Sequence, residues 1–232
     1  FPEARTFAEL AQMCKTEPHR EHMMLLFTHR WDLAAVKSLI RCCGAQGADA
    51  AGLATGPSLP WAVVKQLAES ASLSALIANL AAMFPALCSH LPAVLDTHLD
   101  NPRNAVIALE TALDIRYFER CNEAISRAPN GRIFQEYLQM EVDRINMRRL
   151  LSALMHNMTS DTPWVRGGRL PVAKLDAMLA TGSVEQVVVM LGETPYRAVH
   201  HIFYQVIQNR RLSGLEQWCE MRSEERRVGK EC

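Results

Sequence analysis

YLQMEVDRINMRRLLSALMHNMTSDTPWVRGGRLP, Tyr137 to Pro171, decides the fold. It divides into one long helical segment, a polar break, and a glycine turn that opens a second helix. Stepping about 100° per residue from Leu138 puts Met140, Met147, Leu150, Leu151, Leu154 and Met158 on one broad face, with Leu138, Val142 and Ile145 opposite. A helix apolar on two sides is one buried among other helices. Asp143 and Asn146 fall one turn apart between the stripes, so both leave water on folding and each needs a partner. As a structural pair they would hydrogen-bond loop backbone or a nearby Arg. As a catalytic pair they would need a second carboxylate or a histidine at a working spacing, and none stands beside them.

Working outward, the sequence matches itself without gaps at an offset of 111 residues, from about Arg5–Leu80 onto Arg116–Leu191. Arg5, Phe7, Pro18, Asp32, Leu39, Gly56, Leu59, Pro60, Ser72 and Leu80 meet Arg116, Phe118, Pro129, Asp143, Leu150, Gly167, Leu170, Pro171, Ser183 and Leu191. The kinds of residue give the match its weight: the helix aspartate, the turn glycine and Leu-Pro, and apolar for apolar at Leu76/Val187 and Ile77/Val188. Two copies of one unit are the reading.

The first copy starts in mid-unit. A break at Thr16–His19 precedes a helix over about Arg20–Cys43, which stops at Gly44. Ser58-Leu59-Pro60 then opens a helix to about Ser70, with Ser58 as its cap and the proline in its first turn. Another helix follows over Leu73–Met83, and Pro85, Pro92 and Pro102 punctuate what comes next. A long helix, Asn104–Ser126, links the copies. Val184–Leu191 contains a valine triplet that alone could be a strand, but its partner in the first copy is Ala-rich and reads as helix. A further helix is expected over Arg197–Arg211. Leu215-Glu-Gln-Trp-Cys-Glu220 mirrors Leu109-Glu-Thr-Ala-Leu-Asp114, as if a third copy begins there. The fold class expected is all-α, a tandem multi-helix repeat with units at 1–103 and 104–214 and the start of a third at 215–221. Residues 222–232, RSEERRVGKEC, read as the in-frame translation of a sequencing adapter and are set aside.

Charge is balanced, with 25 basic and 25 acidic residues. Without the four basic and three acidic residues of the tail the balance is 21 to 22, so no field exists to hold nucleic-acid phosphates. No apolar run reaches the roughly 18 residues of a membrane span. The cysteines outside the tail (Cys14, Cys42, Cys43, Cys88, Cys121, Cys219) make no CxxC pair and read as reduced, buried thiols of a cytosolic protein.

The chemistry-bearing candidates are few. His19-Arg-Glu-His22 lacks the HExxH spacing that puts two histidines on one helical face. His200 and His201 point apart on a helix. Gly167-Gly168 between Arg166 and Arg169 is either a tight turn or a phosphate cradle at a helix start, although no GxxxxGK[ST] or GxGxxG accompanies it. Lys37, Arg41, Arg148 and Arg149 occupy the more polar side of the two equivalent helices, either solvated and ion-paired or touching an acidic partner. No Ser-His-Asp or Cys-His arrangement is present, which argues against an enzyme. No cofactor is implied.

Trp31-Asp-Leu-Ala-Ala-Val-Lys37-Ser-Leu-Ile-Arg41 and Val142-Asp-Arg-Ile-Asn146-Met-Arg148-Arg-Leu-Leu151 are each followed by Gly-x-x-Leu-Pro and a helix ending near Leu80 or Leu191. Together with Leu109-Glu110, Tyr117-Phe118 and the Thr194-Pro-Tyr196 exit, this order resembles the C-type subunit of the V-type and A-type rotary ATPases, equivalent to the d-type subunit of the vacuolar enzyme, over about Phe7–Glu220. The resemblance implies a funnel of three helical units around a pseudo-threefold axis. It implies a non-catalytic central-stalk socket on the cytoplasmic face of the proteolipid ring, holding the foot of the central shaft. Partners would be shaft and ring, with the membrane met only through the ring. Two departures stand out: Ala35 occupies the place of Asn146 in the first copy, so any backbone bond made by that asparagine is expected to be absent there, and the third unit is missing. Two other readings remain: a generic helical-repeat scaffold for a protein partner, whose unit would be nearer about 33–47 residues, and a metal-dependent hydrolase built on His19, His22 and Asp32.

Overall fold

The computed structural model describes residues 29–44, 53–126, 131–155 and 163–197. The described chain is helical, with α1 at His29–Gly44, α2 at Trp61–Ala68, α3 at Leu73–Met83, α4 at Pro85–Cys88, α5 at Leu91–Asp96, α6 at Pro102–Ser126, α7 at Gly131–Met155, α8 at Val172–Ala180 and α9 at Val184–Leu191. Among the described residues the sole β-type pairing is an isolated bridge between Gly56 and Leu59. The expected start of the first copy, the Arg197–Arg211 helix, the beginning of a third unit and the tail lie outside the described residues.

The chain divides into two compact units, Phe1–Gln135 and Glu136–Cys232. The boundary falls inside α7. The long helix α6 packs within the first unit.

In the first unit α1 lies along α6 and against α3, and α5 packs between α3 and α6. Val36, Leu39 and Ile40 of α1, Leu76, Ile77 and Leu80 of α3, and Leu109 and Leu113 of α6 are buried. These are the i, i+3, i+4 positions that one apolar stripe supplies. In the second unit the core gathers Met147, Leu150, Leu151 and Leu154 of α7 with Trp164 and Leu170 of the following loop, Leu175 and Met178 of α8, Val187, Val188 and Leu191 of α9, and Tyr196. The valine triplet is helical because Val187 and Val188 are wanted on that core while Val189 faces water. Tertiary burial overrides the β preference of three consecutive branched residues.

The units start their helices in register. α2 and α3 begin at Trp61 and Leu73, α8 and α9 at Val172 and Val184, both pairs at the sequence offset of 111. Ser72 Oγ accepts from Ala75 N–H at 3.1 Å, and Ser183 Oγ accepts from Gln186 N–H at 3.4 Å. One expectation fails here. Ser58 does not cap α2: Pro60 is the N-cap residue, with no side-chain capping bond. The Ser58 N–H instead donates to Asp32 Oδ1 at 2.9 Å, because a buried carboxylate one helix away needs that donor.

Cys88 and Cys121 are fully buried, and burial pushes their thiols up to about 12 and about 11. The thiolate is the reactive form. Iodoacetamide at pH 8 should therefore modify half-buried Cys42 and Cys43 well before either of them in folded protein, a ranking that peptide mass spectrometry reads directly. Equal labelling of all four would contradict the packing.

Candidate functional site

Each unit pins a loop to the helix that precedes it through a buried aspartate. In the second unit Asp143 is fully enclosed. Its Oδ2 accepts the Arg169 N–H at 2.8 Å and the Tyr196 hydroxyl at 2.6 Å, and its Oδ1 accepts the Leu170 N–H at 3.1 Å. One turn on, Asn146 makes a reciprocal pair with one residue: its Nδ2 donates to Val165 O at 2.8 Å and its Oδ1 accepts from Val165 N–H at 3.1 Å. Pro163 O accepts from Arg149 Nη1 at 2.9 Å, and the Arg149 guanidinium lies 5.7 Å from the Trp164 ring centroid. Trp164 Nε1 donates to Asp176 Oδ1 at 2.6 Å. The loop over 163–170 is thus tied to α7 by five hydrogen bonds at four of its residues and to α8 by a sixth.

Both side chains of the Asp143–Asn146 pair are spent on this loop and its neighbours. Burial pushes the Asp143 carboxyl above the ordinary aspartate range, and the Tyr196, Leu170 and Arg169 bonds pull it part of the way back. The Arg169 and Leu170 N–H groups, which the phosphate-cradle reading needs free, are given to this carboxylate. A Cβ on Gly168 would also run into Asp143. Gly167 meets a different demand, a φ of 98° that side chains rarely adopt. The Gly-Gly pair is therefore a tight turn against an internal anion.

In the first unit Asp32 holds Ser58, and Gly56 and Leu59 exchange N–H···O bonds of 3.1 and 3.0 Å. The bond expected to be missing opposite Ala35 is made by another residue. Ser38 Oγ donates to Ala35 O at 2.8 Å and accepts from Ala54 N–H at 3.0 Å, and Ala54 is the residue aligned with Val165. One turn along a helix keeps a side chain on the same face, so a serine at i+3 reaches the same loop. The signal was in the sequence.

The basic candidates divide. Lys37 pairs with Asp114 across the α1–α6 interface, and Arg41 pairs with Glu110 there through Nη2 at 2.7 Å; Glu110 is the main reason the Arg41 guanidinium is raised. Arg149 serves the loop, and Arg148 is exposed. Asp114, Glu110 and Tyr196 are partners that sequence reasoning missed because nothing local distinguishes them, whereas Ser38 was missed although its place one turn from Ala35 could have shown it. His19, His22, His200 and His201 lie outside the described residues. Among the described residues no three His, Cys, Asp or Glu side chains gather as a metal site, and Asp32 is occupied by the Ser58 N–H.

Asn146→Ala should cost about 2–3 kcal/mol, because both backbone groups of buried Val165 lose their partner. Ser38→Ala removes one acceptor from a half-buried N–H and should cost about 1 kcal/mol. Urea unfolding of the two variants checks the order, and a Ser38 variant as damaged as the Asn146 one would contradict it.

Buried carboxylates that serve loop backbone, and ion pairs that join helices, define a class: an all-helical protein whose polar interior fixes shape. Residues 3–226 match the family described as ATP synthase (C/AC39) subunit, and the chain belongs to that family. It is accordingly a subunit of a V/A-type ATPase, an ion-transporting rotary complex associated with a membrane. No curated protein and no solved structure matches it. No helix among the described residues is long and apolar enough to cross a membrane.

Proposed function

We propose that the chain is a non-catalytic central-stalk component, a socket that couples the rotating shaft to the proteolipid ring on the cytoplasmic face of the membrane. The family match over 3–226 carries the reading. The shared offset of 111 residues between the starts of α2 and α8 and of α3 and α9, with an aspartate at that same offset holding a loop in each unit, supports it. Torque transmission asks for stiffness, and a loop tied by buried charge-assisted bonds is stiff. Each tied loop presents exposed apolar residues at the head of the next helix, Pro60-Trp61-Ala62 in one unit and Pro171-Val172-Ala173 in the other. With Arg41 and Arg148 these are the surfaces offered to shaft and ring. The third unit and the closed funnel belong to the same reading.

The test is reconstitution. Rotary ATPase stripped of its own C/AC39 component should regain ATP-driven ion pumping when the chain is added, and the chain alone should hydrolyse no ATP. Hydrolysis by the isolated chain would overturn the non-catalytic role, and failure to bind either the shaft or the ring would overturn the socket.

A further inference from the structure

Three donors converge on the enclosed Asp143 carboxylate: the Tyr196 hydroxyl, the Arg169 N–H and the Leu170 N–H. That geometry suits the ionised form. A proton arriving on the carboxyl needs a lone pair in line with it, and the Tyr196 oxygen, 2.6 Å from Oδ2, carries one once its own hydrogen rotates away.

We propose that Asp143 and Tyr196 form a proton-responsive clasp, in which proton uptake by Asp143 turns the Tyr196 hydroxyl from donor to acceptor and weakens the Arg169 N–H bond, loosening the loop while α7 stays packed. The balance is simple. Asp143 gains the proton and donates it toward the Tyr196 oxygen; the tyrosine keeps its own hydrogen, and Oδ2, now a hydroxyl oxygen, is a poorer acceptor for Arg169.

The surroundings decide that the carboxyl can titrate. From the loop, Arg169 faces it, and its guanidinium is also 3.9 Å from Glu136 of α7. From the segment after α9 comes the Tyr196 phenol. On α7 the neighbouring charges Glu141 and Arg144 pair with each other at 3.1 Å. Burial outweighs these, which sets proton uptake above the ordinary aspartate range. Because the folded carboxyl binds its proton more readily than the unfolded one, this group favours folding in acid, and that contribution is lost as pH rises through the folded titration. Loosening in acid is therefore loss of the Arg169 bond with the carboxyl still enclosed, a local event and not unfolding. Among the described residues the first unit shows no such clasp, and the residue aligned with Tyr196 is Pro85.

The experiment is an NMR titration of the full chain, following the Asp143 carboxyl carbon and the amide-exchange protection factors of Arg169, Met147 and Leu150. Asp143 should titrate above the ordinary aspartate range. Protection at Arg169 should fall at least tenfold with the same midpoint, while Met147 and Leu150 in α7 keep theirs. Tyr196→Phe should move the midpoint further up, and Asp143→Asn should hold Arg169 at low protection at every pH. Arg169 protection that ignores the Asp143 titration overturns the clasp, as does an Asp143 midpoint in the ordinary range. The wild-type titration alone decides the matter if Tyr196→Phe does not fold.

Discussion

Replacing Asp143 by alanine is expected to lower the stability of the second unit by about 3–4 kcal/mol. Two backbone N–H groups, Arg169 and Leu170, lose the acceptor that faces them. Each orphaned group costs about 1–3 kcal/mol when buried, and the space left by the carboxylate adds to the loss. Relief of the penalty for enclosing a charge works the other way and keeps the sum from being larger. Small domains hold only about 5–15 kcal/mol in total, so the variant should be conspicuously weak. The damage should also be local before it is global, because the loop carries trypsin sites at Arg166 and Arg169. Urea unfolding and limited trypsin digestion are the measurements. A variant within about 1 kcal/mol of wild type, with cleavage after Arg166 and Arg169 no faster, would remove the claim that the carboxylate holds the loop.

The all-helical class was legible because the 3.6-residue pattern of the Tyr137–Met155 segment admits no strand reading, and family membership followed from the order of degenerate motifs. The Asp143–Asn146 pair was legible because two polar residues between apolar stripes leave few places to go. Their partners were not. Tyr196 lies 53 residues from Asp143, and a phenol near a Pro exit carries no mark of the carboxylate it meets. Ser38 was hidden by alignment, which compares position with position while a helix face offers i and i+3 as alternatives. Ser58 misled for a related reason. Serine two before a helix-opening proline has the right chemistry for a cap, but its N–H was claimed by Asp32, and a tertiary bond outranks a local preference. What sequence conceals here is the choice among equally suitable partners, which only the packing of distant segments makes.

Gly56→Ala should be among the most damaging single-methyl additions in the first unit, at about 3 kcal/mol or more. The reason is close approach, not backbone conformation, since the glycines with positive φ are Gly167 and Gly182. A Cβ built at Gly56 would sit 2.8 Å from both the Cα and the N of Asp32, and closer still to its Oδ1. A side chain can swing aside, but Asp32 backbone belongs to α1, whose Val36, Leu39 and Ile40 are locked in the core. The loop must therefore lift, and with it go the Gly56–Leu59 exchange and the Ser58 N–H bond to Asp32. Gly182→Ala is the discriminating comparison. Gly182 has a φ of 62° and nothing within 4 Å of a built Cβ, so its substitution carries strain alone, about 1 kcal/mol. Thermal or urea unfolding should rank the Gly56 variant well below the Gly182 one. If Gly182→Ala proves the more harmful, close packing of the loop on α1 is not what demands glycine at position 56.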